Sequence, residues 1–178
     1  MKILMTGTSS FSGSWFAREL AESGCEVHAT FTGDKDSYKG IRKKRFQTLN
    51  KNVQPIWSTK FGDENFFKLI KENSFDCFLH HGAYVTDYKN DAFDVQRAVN
   101  ENCFNVNRAA RYLANAGCQF CVFTGTFTEP FEAIGDPNHK PFNLYSLSKH
   151  LSFEIFRYAF EKMDIKIGKF VMPNPFGP

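Results

Sequence analysis

Six short apolar runs, alternating with segments of helical character, constrain this chain more than any single motif. They are Lys2–Thr6, Glu26–Phe31, Val53–Trp57, Phe75–His80, Gln119–Thr124 and Lys166–Met172. Each is bounded by turn residues, as strands buried in a parallel sheet are. Helices are predicted over Ser12–Ser23, Asp63–Asn73, about Ala92–Ala116 and Tyr145–Met163. Gly24 and Gly117 stand where the first and the long helix should stop. The alternation predicts an α/β fold: one doubly wound parallel sheet with right-handed crossovers and helices on both faces. At 178 residues the chain reads as a single domain, 1–178. In such sheets a ligand sits beyond the carboxyl ends of the strands, where the strand order switches.

Composition removes several classes of function. A net charge of +3 is too weak to argue for nucleic acid. The basic run Arg42-Lys43-Lys44-Arg45 reads as a solvated helix end or loop. No apolar run approaches the ~18 residues of a membrane span. The start has one Lys followed by strand-like residues, unlike a secretion signal, so a cytoplasmic protein is expected. Five Cys, an odd number, suit reduced thiols. Cys118 and Cys121 form a C-x-x-C at the start of an apolar strand with no second ligand pair, which favours simple burial over redox or metal chemistry. Adjacent His80 and His81 point to opposite faces of a strand and are a poor chelate, so no metal is expected.

Three stretches fall at carboxyl ends of strands: Gly7–Gly13, His81–Tyr84 and Thr124–Thr128. The first, in "TGTSSFSG", is a phosphate-gripping turn with its middle glycine replaced by Ser10. Gly7 supplies a tight bend and Gly13 close helix–strand packing, while N–H groups of the helix start attract an anion. A Cβ at Ser10 crowds a pyrophosphate, but its hydroxyl offers a hydrogen bond; Ser9, Ser10 and Ser12 are also helix-capping types. A turn that binds nothing has the same appearance. Tyr145 and Lys149 are four apart on a helix and face the same way. An ammonium beside a phenol favours the phenolate, so Tyr145 is a candidate acid/base, with Thr126 bonding the same substrate oxygen.

In order and spacing these pieces resemble the extended short-chain dehydrogenase/reductase family, the NAD-dependent epimerases and dehydratases of nucleotide sugars. The matching segments are Thr6–Gly13, "FLHHGA" (Phe78–Ala83), Asn100 in its helix, Thr124–Thr126, Tyr145–Lys149 and "KFVMPNPFGP" (Lys169–Pro178). The resemblance spans essentially all 178 residues. It implies a Rossmann-type sheet with NAD, or NADP, in the crevice. Tyr145 is then the catalytic acid/base, Lys149 binds nicotinamide ribose and lowers the tyrosine pKa, and Thr126 is the hydroxyl partner, with Thr124 second. Cofactor contacts are implied at Gly7, Thr8, Ser9, Ser10, Phe11 and Gly13. Others are implied at Thr32, Asp34, His81, Gly82, Ala83, Asn100, Thr124, Tyr145, Lys149 and Pro173.

Departures from the pattern refine the expectation. Ser10 predicts a slightly displaced pyrophosphate. Lys169 replaces an arginine, and Asp63 comes late for an adenine contact. Asp34 suits a ribose hydroxyl, whereas Lys35 or Arg42–Arg45 suit a 2′-phosphate; the lean is to NAD. Glu129 lies one place too late for sugar dehydration, which leaves 4-ketosugar reductase slightly ahead of 4-epimerase. A non-catalytic sensor or scaffold of the same fold is the alternative from another class. Family members continue past the Gly177-Pro178 pair into a sugar-binding lobe, so this chain is expected to be a fragment or truncated. The full-length protein is expected to be a homodimer through the Ala92–Ala116 and Tyr145–Met163 helices, with a nucleotide sugar as substrate.

Overall fold

The computed structural model describes residues 1–134, 138 and 140–176. Six parallel strands form one sheet in the order β3-β2-β1-β4-β5-β6. They are β1 (Lys2–Thr6), β2 (Glu26–Thr30), β3 (Val53–Ile56), β4 (Cys77–His80), β5 (Phe120–Thr126) and β6 (Lys166–Met172). The helices are α1 (Phe11–Glu22), α2 (Gly40–Gln47), α3 (Glu64–Glu72), α4 (Val95–Asn102), α5 (Val106–Asn115) and α6 (Leu144–Glu161). The order reverses between β1 and β4, whose ends lie level, Thr6 opposite His80. That is the switch point where such sheets open a crevice.

Side chains alternate across the sheet. Leu4, Phe78 and Phe123 face a core built with α3, α5 and α6, where Phe61, Phe66, Phe156 and Phe160 are buried. Met5, Val27, Ala29 and Phe31 face the other way, onto Ala17 and Ala21 of α1. Phenylalanines thus form a continuous ring cluster beneath the crevice. Phe156 stacks on His80 at 4.6 Å, on Phe61 at 5.3 Å and on Phe160 at 5.6 Å.

The expected strands stand within about two residues of their predicted ends, β5 running on to Thr126. The long helix expected over Ala92–Ala116 is two helices. Asn105 turns left-handed at φ 56°, a conformation asparagine tolerates, and its side-chain amide donates to the Gly62 carbonyl at 2.9 Å. The basic run lies in a helix of its own, α2, which buries none of its residues. Without an apolar stripe it left no periodic signal. Cys118 and Cys121 are buried; burial pushes the Cys118 thiol up to about 11 and also raises that of Cys121 well above its ordinary value, the reverse of a reactive pair.

Phe156 has no exposure. Phe156→Ala should cost about 3–5 kcal/mol of unfolding free energy by transfer and cavity terms. Leu151→Ala, on the 40% exposed outer face of α6, should cost roughly 0.5 kcal/mol. Urea unfolding of the two variants checks the contrast, and equal losses would contradict the assignment of Phe156 to the load of the core.

Candidate active site

The turn after β1 is shaped by what cannot fit there. Gly7 has φ +79°, and a Cβ on it would lie 2.6 Å from the Gly82 nitrogen. A Cβ on Gly13 would lie 2.2 Å from the Gly7 carbonyl oxygen. Ser10 is the N-cap of α1: its hydroxyl donates to the Gly7 carbonyl at 2.9 Å and accepts the Gly13 N–H at 3.0 Å. The His81 Nε2 stands 3.2 Å from the same oxygen and 3.0 Å from the Ser12 hydroxyl. With the Ser10 proton given to Gly7, His81 Nε2 carries the hydrogen and donates. The Ser10 hydroxyl is therefore fully engaged with its own turn. The expected bond from this hydroxyl to a phosphate is therefore not prepared in the chain by itself. What the turn offers instead is backbone: the Phe11 and Ser12 N–H groups have no partner within the helix. The Thr8 hydroxyl is buried without a partner among the described residues.

His81 joins this turn to β5. Its Nδ1, free of hydrogen, accepts from the Thr124 hydroxyl at 3.1 Å, and its ring meets Phe16 edge-on at 5.1 Å. Burial, reinforced by the Lys149 charge, holds its pKa down at about 4. His80 faces the phenylalanine core and bonds the Thr6 hydroxyl at 3.1 Å, so the two imidazoles serve opposite faces. No group of three His, Cys, Asp or Glu among the described residues is placed to hold a metal.

The side chain of Asn143 caps α6. Tyr145, in the first turn, lies against Tyr88 at 5.3 Å and Phe93 at 6.1 Å. Lys149, one turn on, is 3% exposed with its ammonium 4.3 Å from the centre of the Phe123 ring. Burial, then the charge of Glu129, pushes the Tyr145 phenol up to about 12. Burial brings Lys149 down to about 8 against the pull of Glu129. The resemblance implied a tyrosine pKa lowered by Lys149. In the chain by itself the shift runs the other way, because desolvation of the phenolate dominates.

Beyond β5, the Thr126 hydroxyl stands 3.1 Å from that of Thr128, which lies 2.6 Å from the Ser146 hydroxyl. The Thr126 N–H donates to Glu129 at 2.7 Å. Glu129 has no exposure and pairs with Lys169 of β6 at 3.2 Å, and Lys169 also reaches Glu132. Gly125 makes room for this pair: a Cβ there would meet the Glu129 carboxylate at 2.8 Å and the Lys169 stem at 2.9 Å. Sequence reasoning noted Glu129 and Lys169 as departures and missed that they are partners. The parallel register that sets Phe123 opposite Lys169 is the signal that could have joined them.

Several expected cofactor residues lie elsewhere or are otherwise engaged. Asn100 is exposed on α4; the buried asparagine is Asn102, two residues on, which accepts the Tyr84 N–H at 2.7 Å and donates to Ser152 at 3.2 Å. Helical spacing turns one inward and the other out. Asp34 is exposed and accepts from the Ser58 hydroxyl, and Thr32 lies 3.5 Å from the Tyr38 hydroxyl. Asp63 caps α3, accepting from the Phe66 and Lys60 N–H groups. Arg45 of α2 reaches the Ser9 carbonyl at 3.5 Å and the Phe11 ring at 5.6 Å. Gly82 packs against Thr6, followed by half-buried Ala83. Pro173 is exposed just past β6, and Gly177 and Pro178 fall outside the described residues.

The two histidines set an acid limit. A folded-state pKa below the unfolded 6.5 means that the unfolded chain binds more protons in between. Stability is therefore full above about pH 6.5 and falls as the pH drops toward 4. His81 alone should remove about 2 kcal/mol by pH 5, with His80 adding in the same direction. Urea midpoints at pH 7.5 and 5 should show this loss, and His81→Gln should lessen it. An unchanged slope in the variant would show that His81 is not the group responsible.

Comparison with known proteins places this geometry. No curated protein matches the sequence. UDP-glucuronic acid 4-epimerase from Bacillus cereus, in complex with NAD, superposes with a TM-score of 0.76 at 20% identity, over 100% of this chain and 58% of that one. UDP-glucose 4-epimerase from Thermotoga maritima, with UDP-glucose, gives 0.71 at 18% identity, over 95% and 54%. WbmG from Bordetella bronchiseptica, in complex with NAD, gives 0.69 at 16%, over 95% and 52%. The chain spans little more than half the length of these structures, and at such identities the likeness shows the fold alone. The sequence profile described as "NAD dependent epimerase/dehydratase family" matches residues 3–178, and the chain belongs to that family.

Proposed function

We propose that this chain is the dinucleotide-binding and proton-transfer part of a nucleotide-sugar oxidoreductase, working as a 4-epimerase on a UDP-sugar. One observation carries the reading: the buried Glu129 accepts the Thr126 N–H at the end of β5 and acts electrostatically on both Tyr145 and Lys149, at the end of the sheet where the Gly7–Gly13 turn lies. Structural neighbours that are named as 4-epimerases make epimerisation at least as well supported as reduction.

The residues present fit a dinucleotide. Gly7 and Gly13 let the turn close tightly on the His81–Gly82 peptide and on itself, and the helix start and the buried Thr8 hydroxyl supply donors for a pyrophosphate. NAD, when bound, supplies the hydride acceptor and donor at the sugar carbon. Tyr145 moves the proton at its phenol oxygen: it takes the proton of a sugar hydroxyl in oxidation and returns it to the ketone in reduction. Lys149 keeps most of its positive charge at neutral pH, its pKa being about 8, and serves the nicotinamide ribose in this reading. Thr126 orients the reacting oxygen. A 4-ketosugar reductase is the second reading, favoured by a Tyr145 phenol that carries its proton in the resting chain. Asp34, tied to Ser58, and Arg45, beside Ser9, keep both NAD and NADP as candidate ligands. Leu151, Ile155 and Tyr158 form an exposed apolar stripe on α6 that fits pairing with a second copy.

Fluorescence titration of the chain with NAD and NADP tests the binding half of the reading. Tyr145→Phe should leave the dissociation constant within about twofold, because the phenol serves proton transfer and not dinucleotide affinity. Turnover of UDP-glucose or UDP-glucuronic acid by the full-length protein should fall by roughly 10²–10⁴-fold in that variant. Binding of neither dinucleotide would overturn the reading, and unchanged turnover would remove Tyr145 from the chemistry.

A further inference from the structure

One imidazole touches hydroxyls from two distant stretches of the chain. His81 Nε2 lies 3.0 Å from Ser12 Oγ and 3.2 Å from Ser10 Oγ, both at the start of α1. Its Nδ1 lies 3.1 Å from Thr124 Oγ on β5. The ring has little freedom to leave them. Phe16 meets it edge-on at 5.1 Å and is itself backed by Phe170 at 5.6 Å, while the His81 backbone N–H is held by the Thr6 hydroxyl at 3.2 Å. Burial keeps the imidazole neutral, so it carries a single hydrogen on one of its two nitrogens.

Ser10 decides which nitrogen. Its hydroxyl donates to the Gly7 carbonyl at 2.9 Å and accepts the Gly13 N–H at 3.0 Å, so it has no proton left for the ring. A bare Nε2 would then face the Ser10 oxygen at 3.2 Å with no hydrogen between them. The hydrogen therefore sits on Nε2, shared between Ser10 and Ser12, and Ser12 accepts in that contact. Ser12 keeps its own proton, which has no partner among the described residues. As the second residue of α1, it also has a backbone N–H with no partner in the helix. Half-buried Ser12 thus holds two unspent donors at the positive end of a twelve-residue helix. In the same turn the Thr8 hydroxyl, on a residue 1% exposed, is likewise without a partner among the described residues.

We propose that Ser12 is the side chain that grips an anion at this turn, its hydroxyl kept free to donate by His81. The inference rests on the dinucleotide reading for the identity of that anion as a pyrophosphate. Phosphate oxygens only accept, so they need a hydroxyl whose proton is not already spent. The other imidazole tautomer would take the Ser12 proton and turn oxygen lone pairs toward the anion. On the far side of the ring, Thr124 spends its proton on Nδ1 and is left as an acceptor. His81 thereby sorts the hydroxyls of the crevice, a donor at the phosphate turn and an acceptor on β5. It is a positioning residue, acting on the anion through Ser12. The hydroxyl that replaces the middle glycine closes the turn, and the one two residues later is free for the ligand.

Calorimetric titration of the chain with NAD and with inorganic pyrophosphate reads the grip. Ser12→Ala should weaken both by about tenfold, the size of one hydrogen bond to a charged group. Ser12→Thr keeps the hydroxyl and should stay within about threefold of the wild type. His81→Leu should weaken binding in the wild-type background and cost nothing further in a Ser12→Ala background, because the imidazole acts through Ser12. A merely structural role of His81 would cost the same in both.

Nitrogen-15 NMR of the wild-type imidazole at pH 7.5 reads the tautomer with no ligand and no variant. Hydrogen on Nε2 with a bare Nδ1 is the expected result, and hydrogen on Nδ1 would overturn the proposal. Wild-type affinity for both ligands in Ser12→Ala would overturn it too, as would an equal cost of His81→Leu in the two backgrounds. NAD bound equally by wild type and Ser12→Ala would sink the role of Ser12 and leave the dinucleotide reading standing. Pyrophosphate held through Ser12 with no binding of NAD would uphold that role and count against the dinucleotide reading.

Discussion

The crevice depends on one close approach, that of Gly7 to the His81–Gly82 peptide. β1 and β4 end level, yet the helices that follow them go to opposite faces of the sheet. The chain must part there, and a side chain in the gap would wedge the strand ends apart. The Thr6 hydroxyl closes the contact from below by accepting the N–H groups of His81 and Gly82 at 3.2 Å and 3.1 Å. Its own proton is left for His80 Nδ1, which puts the His80 hydrogen on Nε2, without a polar partner among the described residues and ringed by Phe61, Phe123 and Phe156. The geometry of a surface turn is thereby transmitted into the aromatic core. A neutral His80 is the condition for it, and burial supplies that condition.

Three charges lie nearly out of water on the floor of this crevice, and each has a separate consequence. Glu129 and Lys169 bind β5 to β6 across Gly125, so the strand end bearing Thr126 has little freedom. Lys149 has the face of Phe123 beside it, a contact worth more once desolvated. Its positive potential helps keep His81 neutral, and neutrality is what His81 needs: one nitrogen donates to Ser10 and Ser12, the other accepts from Thr124. A protonated ring would aim a second N–H at Thr124 and force that hydroxyl to turn. The lysine thus reaches the phosphate turn through an imidazole as well as through space.

The legible part of the molecule was what short-range chemistry determines. Apolar runs with flanking turns gave the strands, and the Tyr145–Lys149 spacing placed both residues on one helix face. The illegible parts needed three-dimensional facts. Nothing in "AVNENCFNVNRAA" says that Asn105 turns left-handed, and that break decides whether Asn100 or Asn102 faces inward. Asp63 looked like a displaced adenine ligand, yet a carboxylate three residues before a helical N–H is first of all a cap. α2 carries no apolar face, so periodicity is silent about it. The direction of the Tyr145 shift depends on how much water reaches a phenol, which a sequence does not state.

Ser10 and Phe31 show what the departures have in common. Where the family pattern expects bare backbone, Ser10 brings a hydroxyl and turns it back onto Gly7 and Gly13. Just past the end of β2, Phe31 is buried among Tyr38, Phe46 and Trp57, and the nearest acid, Asp34, is held by Ser58. Each of these side chains is satisfied by its own chain before any ligand arrives. On the proposed reading, recognition of a dinucleotide along this edge falls to backbone N–H groups, the Thr8 and Ser12 hydroxyls and the guanidinium of Arg45. Backbone donors and a helix terminus hold phosphate without distinguishing one dinucleotide from another. On that same reading, discrimination between ribose substituents falls to Arg45, whose guanidinium reaches the Ser9 carbonyl of the turn.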